Sequence, residues 1–169
     1  MWPLIKLFID ICCLTKAPQD IPYSATLLKV LMIIYAGIAF LILSPEQTVF
    51  TGAWEVLCEL ILMVLFVWLM LFIYGKLPRF TQVMCAFVGT DALVSFLALP
   101  AMSALIANRW IDISSIMLLS LMTWHWVICD HIIRHALAQS FLFGLGMSFL
   151  YFVVSYQLMA WLFPYVASS

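Results

Sequence analysis

Charge is the scarcest property of this sequence. Asp, Glu, Lys and Arg make up only 9% of its 169 residues, whereas about a quarter of a typical soluble domain is charged. The net charge is −1 and no basic run is present, so nucleic acid is not expected as a partner. Hydrophobic residues make up 67% of the chain. This composition excludes a soluble domain and is typical of an integral membrane protein whose main partner is the lipid bilayer.

The sequence also lacks the motifs of metal sites and of common enzymes. Its cysteines form no CxxC pair, and its three histidines form no HExxH motif. Cys58, Cys85 and Cys129 fall inside apolar segments and are interpreted as small hydrophobic residues. Cys12 and Cys13 are interpreted as thiols at the membrane surface, with lipidation as the alternative. No catalytic constellation is evident, so we predict no enzymatic activity, no metal and no cofactor.

Residues 1–23 differ from the rest of the chain and are predicted to form a unit of their own. Residues 1–15 mix apolar side chains with Lys6 and Asp10, which are four apart and share a helical face. The run is too short and too charged to cross a bilayer, and it lacks a small-residue cleavage site. It is therefore predicted to be an amphipathic helix at the membrane surface. Pro18 and Pro22 then predict an extended connector, and Ser24 is a plausible helix N-cap.

Five apolar segments follow in residues 24–169, each near the ~20 residues that a transmembrane helix needs. They are residues 25–43, 53–74, 80–107, 113–137 and 140–163. Ser44, Pro45 and Glu46 are expected to close the first, Pro100 to break the third, and Pro164 to follow the fifth. The predicted fold is an all-α integral membrane protein. It is a bundle of five transmembrane helices with an N-terminal amphipathic interfacial helix.

The distribution of Lys and Arg predicts the orientation of this bundle. Short cytoplasmic loops carry an excess of these residues. If five spans alternate, one side holds Lys6, Lys16, Lys29, Lys76, Arg79 and Arg134, and the other holds only Arg109. The aromatic belt expected at the outer interface agrees and comprises Trp54, Trp110, Trp161 and Tyr165. We predict a multi-pass protein of the inner (plasma) membrane, with its N-terminus in the cytoplasm and its C-terminus outside.

Asp91 and His125 are predicted to meet inside the membrane. Both lie ~18 Å from the inner ends of consecutive antiparallel spans, at a rise of about 1.5 Å per residue. An Asp at that depth needs a partner or a proton, because an isolated carboxylate is costly in an apolar medium. One interpretation is a hydrogen bond that locks two helices together. The other is a proton or ion site.

The remaining ionisable groups of the fourth span lie on other faces. Asp130 and Arg134 are four apart and form a favourable ion pair, and His131 and His135 form a second such pair on a neighbouring face. We interpret the four as a polar collar where the helix leaves the bilayer on the cytoplasmic side. The alternatives are a partner-docking surface and a metal or haem site that also uses His125. One helix cannot offer both axial ligands of a haem.

Glu55 and Glu59 are four apart at the outer end of the second span. Negative charge near a helix N-terminus is favoured by the helix dipole, so a structural role is expected. The alternative is a vestibule that attracts cations. In the fifth span, Gly144 and Ser148 have a small-xxx-small spacing, which predicts close approach of a neighbouring helix.

The third predicted span supplies a family resemblance. Residues 79–100 carry Gly89 followed by small residues and a later proline, Pro100. With a short N-terminal segment leading into five closely spaced spans, this layout resembles the Yip family of five-span membrane proteins. The resemblance implies the architecture only. Eukaryotic members are implied in vesicle trafficking through small GTPases, and bacterial members are small inner-membrane proteins. Asp91 and the His-rich fourth span depart from the family pattern.

These observations predict a non-enzymatic membrane component. The leading interpretation is a scaffold or an accessory subunit of a membrane complex, with other membrane proteins or further copies of the chain as partners. The alternative is a small transporter or channel component with a polar path through Asp91, His125 and Glu59. A third possibility, from a different class, is a redox protein with a metal or haem on its histidines.

Overall fold

Six α-helices and two 3-10 turns make up the residues that the computed structural model describes, which are 2–43 and 48–163. The helices are α1 (Trp2–Cys12), α2 (Ala25–Leu43), α3 (Val49–Ile73), α4 (Phe80–Ile106), α5 (Ile111–Leu137) and α6 (Phe141–Leu162). The turns are Pro18–Asp20 and Leu77–Arg79, and no strand occurs in this part of the chain. Helices α2 to α6 are long and apolar enough to cross a membrane. The predicted all-α class with five candidate spans is confirmed.

Polar side chains fix where several helices begin. The backbone N–H of Leu27 donates to the Ser24 hydroxyl at 3.2 Å, so Ser24 caps α2 as predicted. Thr48 caps α3 in the same way, accepting from the backbone of Thr51 at 3.4 Å. Helix α3 therefore begins at Val49, earlier than the predicted residue 53. Apolar residues alone did not mark this start, because a capping turn is polar.

Proline does not break α4. The helix continues through Pro100 to Ile106, contrary to the prediction. A proline removes one backbone hydrogen bond of the helix and leaves the others in place. The Ser103 hydroxyl donates to the Pro100 carbonyl at 2.9 Å, and single prolines are tolerated in spanning helices.

Contacts between the ends of the helices show that α2 to α6 alternate in direction. Lys76, after α3, donates a hydrogen bond to the carbonyl of Leu137 at the end of α5. The ring of Tyr74 lies 5.6 Å from that of Phe143 in the first turn of α6. The start of α2 lies at the same end, since Gln82 near the start of α4 reaches the segment before α2. We call this the proximal end of the bundle and the opposite end the distal end.

Helix α1 is packed into the proximal half of the bundle. Its side chains Phe8, Ile11 and Cys12 are at most 5% exposed. A Cβ atom at Gly89 of α4 would overlap the Phe8 ring, so glycine is required for this approach. The indole N–H of Trp124 in α5 donates to the Cys12 carbonyl at 3.1 Å. One face of α1 thus covers α4 and α5, and its predicted position at the membrane surface stays a prediction.

The connector between α1 and α2 is not fully extended. Pro18–Asp20 forms a 3-10 turn, in which the Asp20 carboxylate accepts from the backbone N–H of Ala17 at 3.0 Å. The prediction failed here because a proline is compatible with the first position of such a turn. Gln82 of α4 donates to the carbonyl of Ile21 at 2.8 Å, and this bond ties the connector to the start of α4.

The aromatic residues expected at one interface occupy the distal end. Trp54 precedes the middle of α3, Trp110 links α4 to α5, and Trp161 lies near the end of α6; their exposed fractions are 54%, 74% and 78%. This placement is compatible with a belt at that end. Five residues of earlier predictions lie outside the described residues: Ser44, Pro45, Glu46, Pro164 and Tyr165.

Candidate intramembrane polar site

Asp91 and His125 face each other near the middle of α4 and α5. The His125 Nε2 atom lies 3.5 Å from the Asp91 Oδ1 atom, and each side chain is 15% exposed. This distance is longer than the 2.7–3.2 Å of a typical hydrogen bond, so the two groups are close but loosely joined. Counting residues along antiparallel helices predicted this neighbourhood. Its role stays a prediction.

Two further helices bring polar groups to Asp91. Tyr35 of α2 is 2% exposed, and its side chain lies near those of Asp91 in α4 and Glu59 in α3. One tyrosine therefore lies near an acid of α3 and an acid of α4. Two carboxylates near each other in an apolar interior repel, and a proton or a cation between them relieves this repulsion.

Helix α6 closes the side of the site with aromatic rings. The Phe152 ring meets His125 edge-on, at 5.3 Å between ring centroids. The neighbouring Tyr151 is 7% exposed and packs on Phe66, at 4.7 Å between ring centroids. The site thus takes a side chain from each of the five long helices. We name Tyr35, Glu59, Asp91, His125 and Tyr151 the mid-bundle cluster.

Sequence reasoning found three members of this cluster and missed two. Asp91 and His125 were singled out because charge is rare here, and Glu59 was assigned to a polar path only in the alternative interpretation. Tyr35 and Tyr151 went unnoticed because tyrosines are common in apolar segments. Their signal is weak: a tyrosine buried in a membrane bundle needs a partner for its hydroxyl.

A cavity reaches Asp91 and His125 from the distal half of the bundle. Its volume is about 310 Å³. Beside Asp91 and His125, its wall includes Ser95 and apolar side chains such as Ala98 and Met122 of α4 and α5. The polar groups therefore form one boundary of a mainly apolar space.

Glu55 is buried as well, although it was expected in an outer pair with Glu59. Its side chain is 2% exposed, one helical turn distal to Glu59 on α3. The two carboxyls follow one face of α3 from the distal end toward the mid-bundle cluster. Glu55 therefore lies within the protein, whereas Glu59 is half-buried and lies near Tyr35.

Two of the four residues in the predicted collar are interior residues, and the collar itself stays a prediction. Asp130 is 1% exposed and His131 is 3% exposed. His131 donates from Nε2 to the Lys16 carbonyl at 2.9 Å and accepts at Nδ1 from Arg134 at 3.0 Å. This arrangement needs a neutral imidazole with its proton on Nε2. The connector covers these residues, which helical periodicity within α5 could not show.

His135 and Arg134 are less buried and keep some of the predicted collar geometry. The His135 ring lies 4.4 Å from that of His131, and its backbone carbonyl accepts from Gln19 at 2.8 Å. Arg134 Nε lies 4.0 Å from Asp130 Oδ2, so the predicted ion pair is present at long range. In residues 2–43 and 48–163, no three His, Cys, Asp or Glu side chains are grouped closely enough to hold a metal ion.

Asp130 lies against the first turn of α6. A Cβ atom at Gly144 would overlap its Oδ1 atom and would crowd its backbone carbonyl. The Asp130 Oδ1 atom has no hydrogen-bond partner among the described residues. The N-terminal turn of a helix carries partial positive charge, which stabilises a carboxylate there. The predicted close approach of a neighbouring helix is confirmed at Gly144, where α5 lies against the glycine, and Ser148 is buried as well.

Comparison with known proteins adds no relative. No family model matches the chain, no curated protein matches it, and no solved structure matches the fold. The resemblance to the Yip family therefore stays a prediction.

Proposed function

We propose that this protein is a non-enzymatic, multi-pass component of the inner membrane that takes up a proton or a small cation at the mid-bundle cluster. One observation supports this most strongly: Asp91 and His125 lie 3.5 Å apart and border a cavity that extends into the distal half. Ionisable groups inside a membrane bundle are costly to keep there, and they commonly mark a path for protons or ions.

The surroundings of the cluster indicate directional access. On the proximal side, the eight consecutive α4 residues from Val83 to Thr90 are all buried. Residues Ile128 to Ile133 of α5 are buried as well. This packed layer leaves the cavity on the distal side as the described route to Asp91. Under the predicted orientation, the cluster takes up its proton or cation from outside, and release inward requires a rearrangement.

Ion flux into liposomes tests this proposal. Purified protein is reconstituted with a pH-sensitive or a sodium-sensitive dye inside the vesicles, and a potassium diffusion potential drives cation entry. We expect proton or sodium flux above that of protein-free vesicles, and at least a tenfold loss in Asp91→Asn. Asp112→Asn is the matched control, because Asp112 lies exposed in the first turn of α5. Wild-type flux equal to that of protein-free vesicles, or full flux in Asp91→Asn, contradicts the proposal.

A second candidate function is an accessory subunit of a membrane complex. The observation that favours it is a stacked aromatic pair on the exposed face of α3. Trp68 and Phe72 lie 5.1 Å apart with their rings 10° from parallel, and they are 44% and 56% exposed. Exposed, preordered aromatic side chains are common anchors in protein interfaces.

Purification in mild detergent tests this second candidate. A subunit co-purifies with the same partner in every preparation, and Trp68→Ala with Phe72→Ala removes that partner while Asp91→Asn retains it. Mass spectrometry of the co-migrating proteins reads out both results. A wild-type protein that runs alone in mild detergent rules the subunit function out.

A further inference from the structure

The cavity beside Asp91 is an open groove whose wall is polar at one end. Its polar wall consists of Asp91, His125 and Ser95, which lie within one to two turns on α4 and α5. Apolar side chains supply the rest of the wall, among them Val94, Ala98 and Met122. Ligand sites in proteins share this pattern of a mainly apolar wall with a few polar groups that orient the ligand.

The charged residues in and near the cavity indicate which sign of charge a bound ligand would carry. Neither Lys nor Arg occurs among the described residues that line the cavity. A second carboxyl, that of Glu59, lies near Asp91 on the neighbouring helix α3. An anion would meet two acids and no permanent cation, so the cluster disfavours it. A positive group is favoured, because an opposite charge stabilises a carboxylate in an apolar interior.

The atoms that line the cavity favour an organic cation over a metal ion. Hard cations such as Mg²⁺ and Ca²⁺ take about six to eight oxygen ligands. The cavity wall offers the Asp91 carboxyl and the Ser95 hydroxyl as side-chain oxygens, and its other side chains are mostly hydrocarbon. A metal ion would therefore keep most of its water in an apolar space. An ammonium group with an apolar body needs fewer acceptors and fits both parts of the wall.

We infer that the cavity binds a small organic ammonium compound, with its charged nitrogen between Asp91 and His125 and its apolar body along α4 and α5. This inference rests on the proposed function and names a substrate class for the same site. The ammonium N–H groups donate to the Asp91 carboxylate and to a neutral His125. A volume of about 310 Å³ is at the small end of ligand sites, which excludes a large drug-like molecule.

Equilibrium binding to protein in lipid nanodiscs tests the inference. The probes are hexylammonium, hexanol and hexanoate, which share one apolar chain and differ in the charge of the head group. We expect saturable binding of hexylammonium, at least tenfold weaker binding of hexanol, and no saturable binding of hexanoate. Protein-free nanodiscs correct for partition of each probe into lipid.

Two variants and one control variant locate the binding. Asp91→Asn is expected to weaken hexylammonium binding at least tenfold, and Asp112→Asn is expected to leave it unchanged. Ala98→Phe fills the apolar part of the cavity and is expected to weaken binding while the Asp91 carboxyl is kept. Gel filtration confirms that each variant is folded. No saturable binding to wild type, or equal binding to wild type and Asp91→Asn, overturns the inference.

The result is separable from the flux experiment. If Asp91→Asn stops proton or sodium flux and hexylammonium does not bind, the site serves only inorganic cations or protons and the inference fails alone. If hexylammonium binds through Asp91 and wild-type vesicles show no flux, the transport proposal fails and the site is a receptor for the amine.

Discussion

The proximal and distal halves of this bundle are packed in different ways. In the proximal half, α1 and the connector add a layer over α4 and α5, and residues such as Met84 and Ile132 are fully buried. In the distal half, α5 presents Ile116 and Leu119 at 65% and 66% exposure. The mid-bundle cluster lies where the two kinds of packing meet. The polar side chains of the cluster thus lie at the boundary between the open distal half and the closely packed proximal half.

The difference shows what a short N-terminal segment does for a small membrane bundle. Five helices alone leave each helix with a broad lipid-facing side. Helix α1 covers one such side where it contacts Gly89 and Trp124. No equivalent element covers the distal half of α5 among the described residues, and the cavity lies there. The predictions below test this contrast, from the largest expected effect to the smallest.

The largest effect is expected for the thiols at the end of α1. Burial raises the pKa of Cys12 from 9.0 to about 12, and the adjacent Cys13 adds to this shift. At pH 8 the reactive thiolate of Cys12 is then about a thousandfold rarer than that of an ordinary cysteine, at tenfold per pH unit. Maleimide labelling with peptide mass spectrometry should modify Cys13, which is exposed, and spare Cys12. Labelling of Cys12 should rise with pH.

Equal labelling of the two cysteines at pH 8 contradicts the packing of α1 in the proximal half. It indicates instead that the helix lies free on the membrane surface.

Removal of core volume should be costly only in the proximal half. Ile132→Ala deletes buried hydrocarbon from α5 and is expected to lower the free energy of unfolding by about 2–5 kcal/mol. Ile116→Ala on the same helix is the control, since Ile116 is 65% exposed, and a change of less than about 0.5 kcal/mol is expected. Unfolding by sodium dodecyl sulfate in mixed micelles measures both. Similar losses for the two variants show that the distal half is covered by another molecule.

The α5–α6 contact should tolerate a methyl group at one glycine and not at another. Gly144→Ala places a Cβ against the Asp130 carboxylate and backbone, and overpacking of this kind costs about 1–3 kcal/mol. Gly146→Ala meets no atom within 4 Å and should be neutral or stabilising by up to about 1 kcal/mol, because alanine favours a helix. Thermal unfolding in detergent compares them. If Gly144→Ala is as stable as Gly146→Ala, the two helices are further apart than described.

The smallest effect is expected where the connector meets α4. Gln82 donates to the carbonyls of Ile21 and Gln19, at 2.8 and 3.3 Å. Gln82→Ala should cost about 1–2 kcal/mol, since a partly buried carbonyl loses its donor. Gln157→Ala, at an exposed position of α6, serves as the control and should change little. Hydrogen exchange of the connector backbone should become faster in Gln82→Ala and not in Gln157→Ala. Unchanged exchange in Gln82→Ala would show that this side chain does not hold the connector against α4.

Much of this structure follows from single-helix patterns. Apolar length predicts the five long helices, and Ser24 marks the start of α2 because its hydroxyl accepts a backbone N–H. Counting residues from the inner ends of α4 and α5 places Asp91 and His125 at the same depth, because both helices rise by the same distance per residue. These predictions use only distances along one helix or between neighbours in sequence.

The features that the sequence did not predict depend on which helices and connecting segments contact each other. The helical wheel of α5 separated Asp130 from His125 by angle, but it did not show that Gly144 of α6 covers Asp130. The burial of His131 depends on the connector 115 residues away in the chain. Tyr35 entered the site because α2 and α3 both border α4, which a linear pattern does not encode.

The end of α5 has a consequence for how the protein is made. The last carbonyls of a helix have no partner within it, and in α5 those of His135, Ala136 and Leu137 accept from Gln19, Arg79 and Lys76. All three donors precede α5 in the chain. A ribosome therefore delivers every one of them before the helix that uses them, so α5 can be docked and capped during synthesis, while α6 is still being translated.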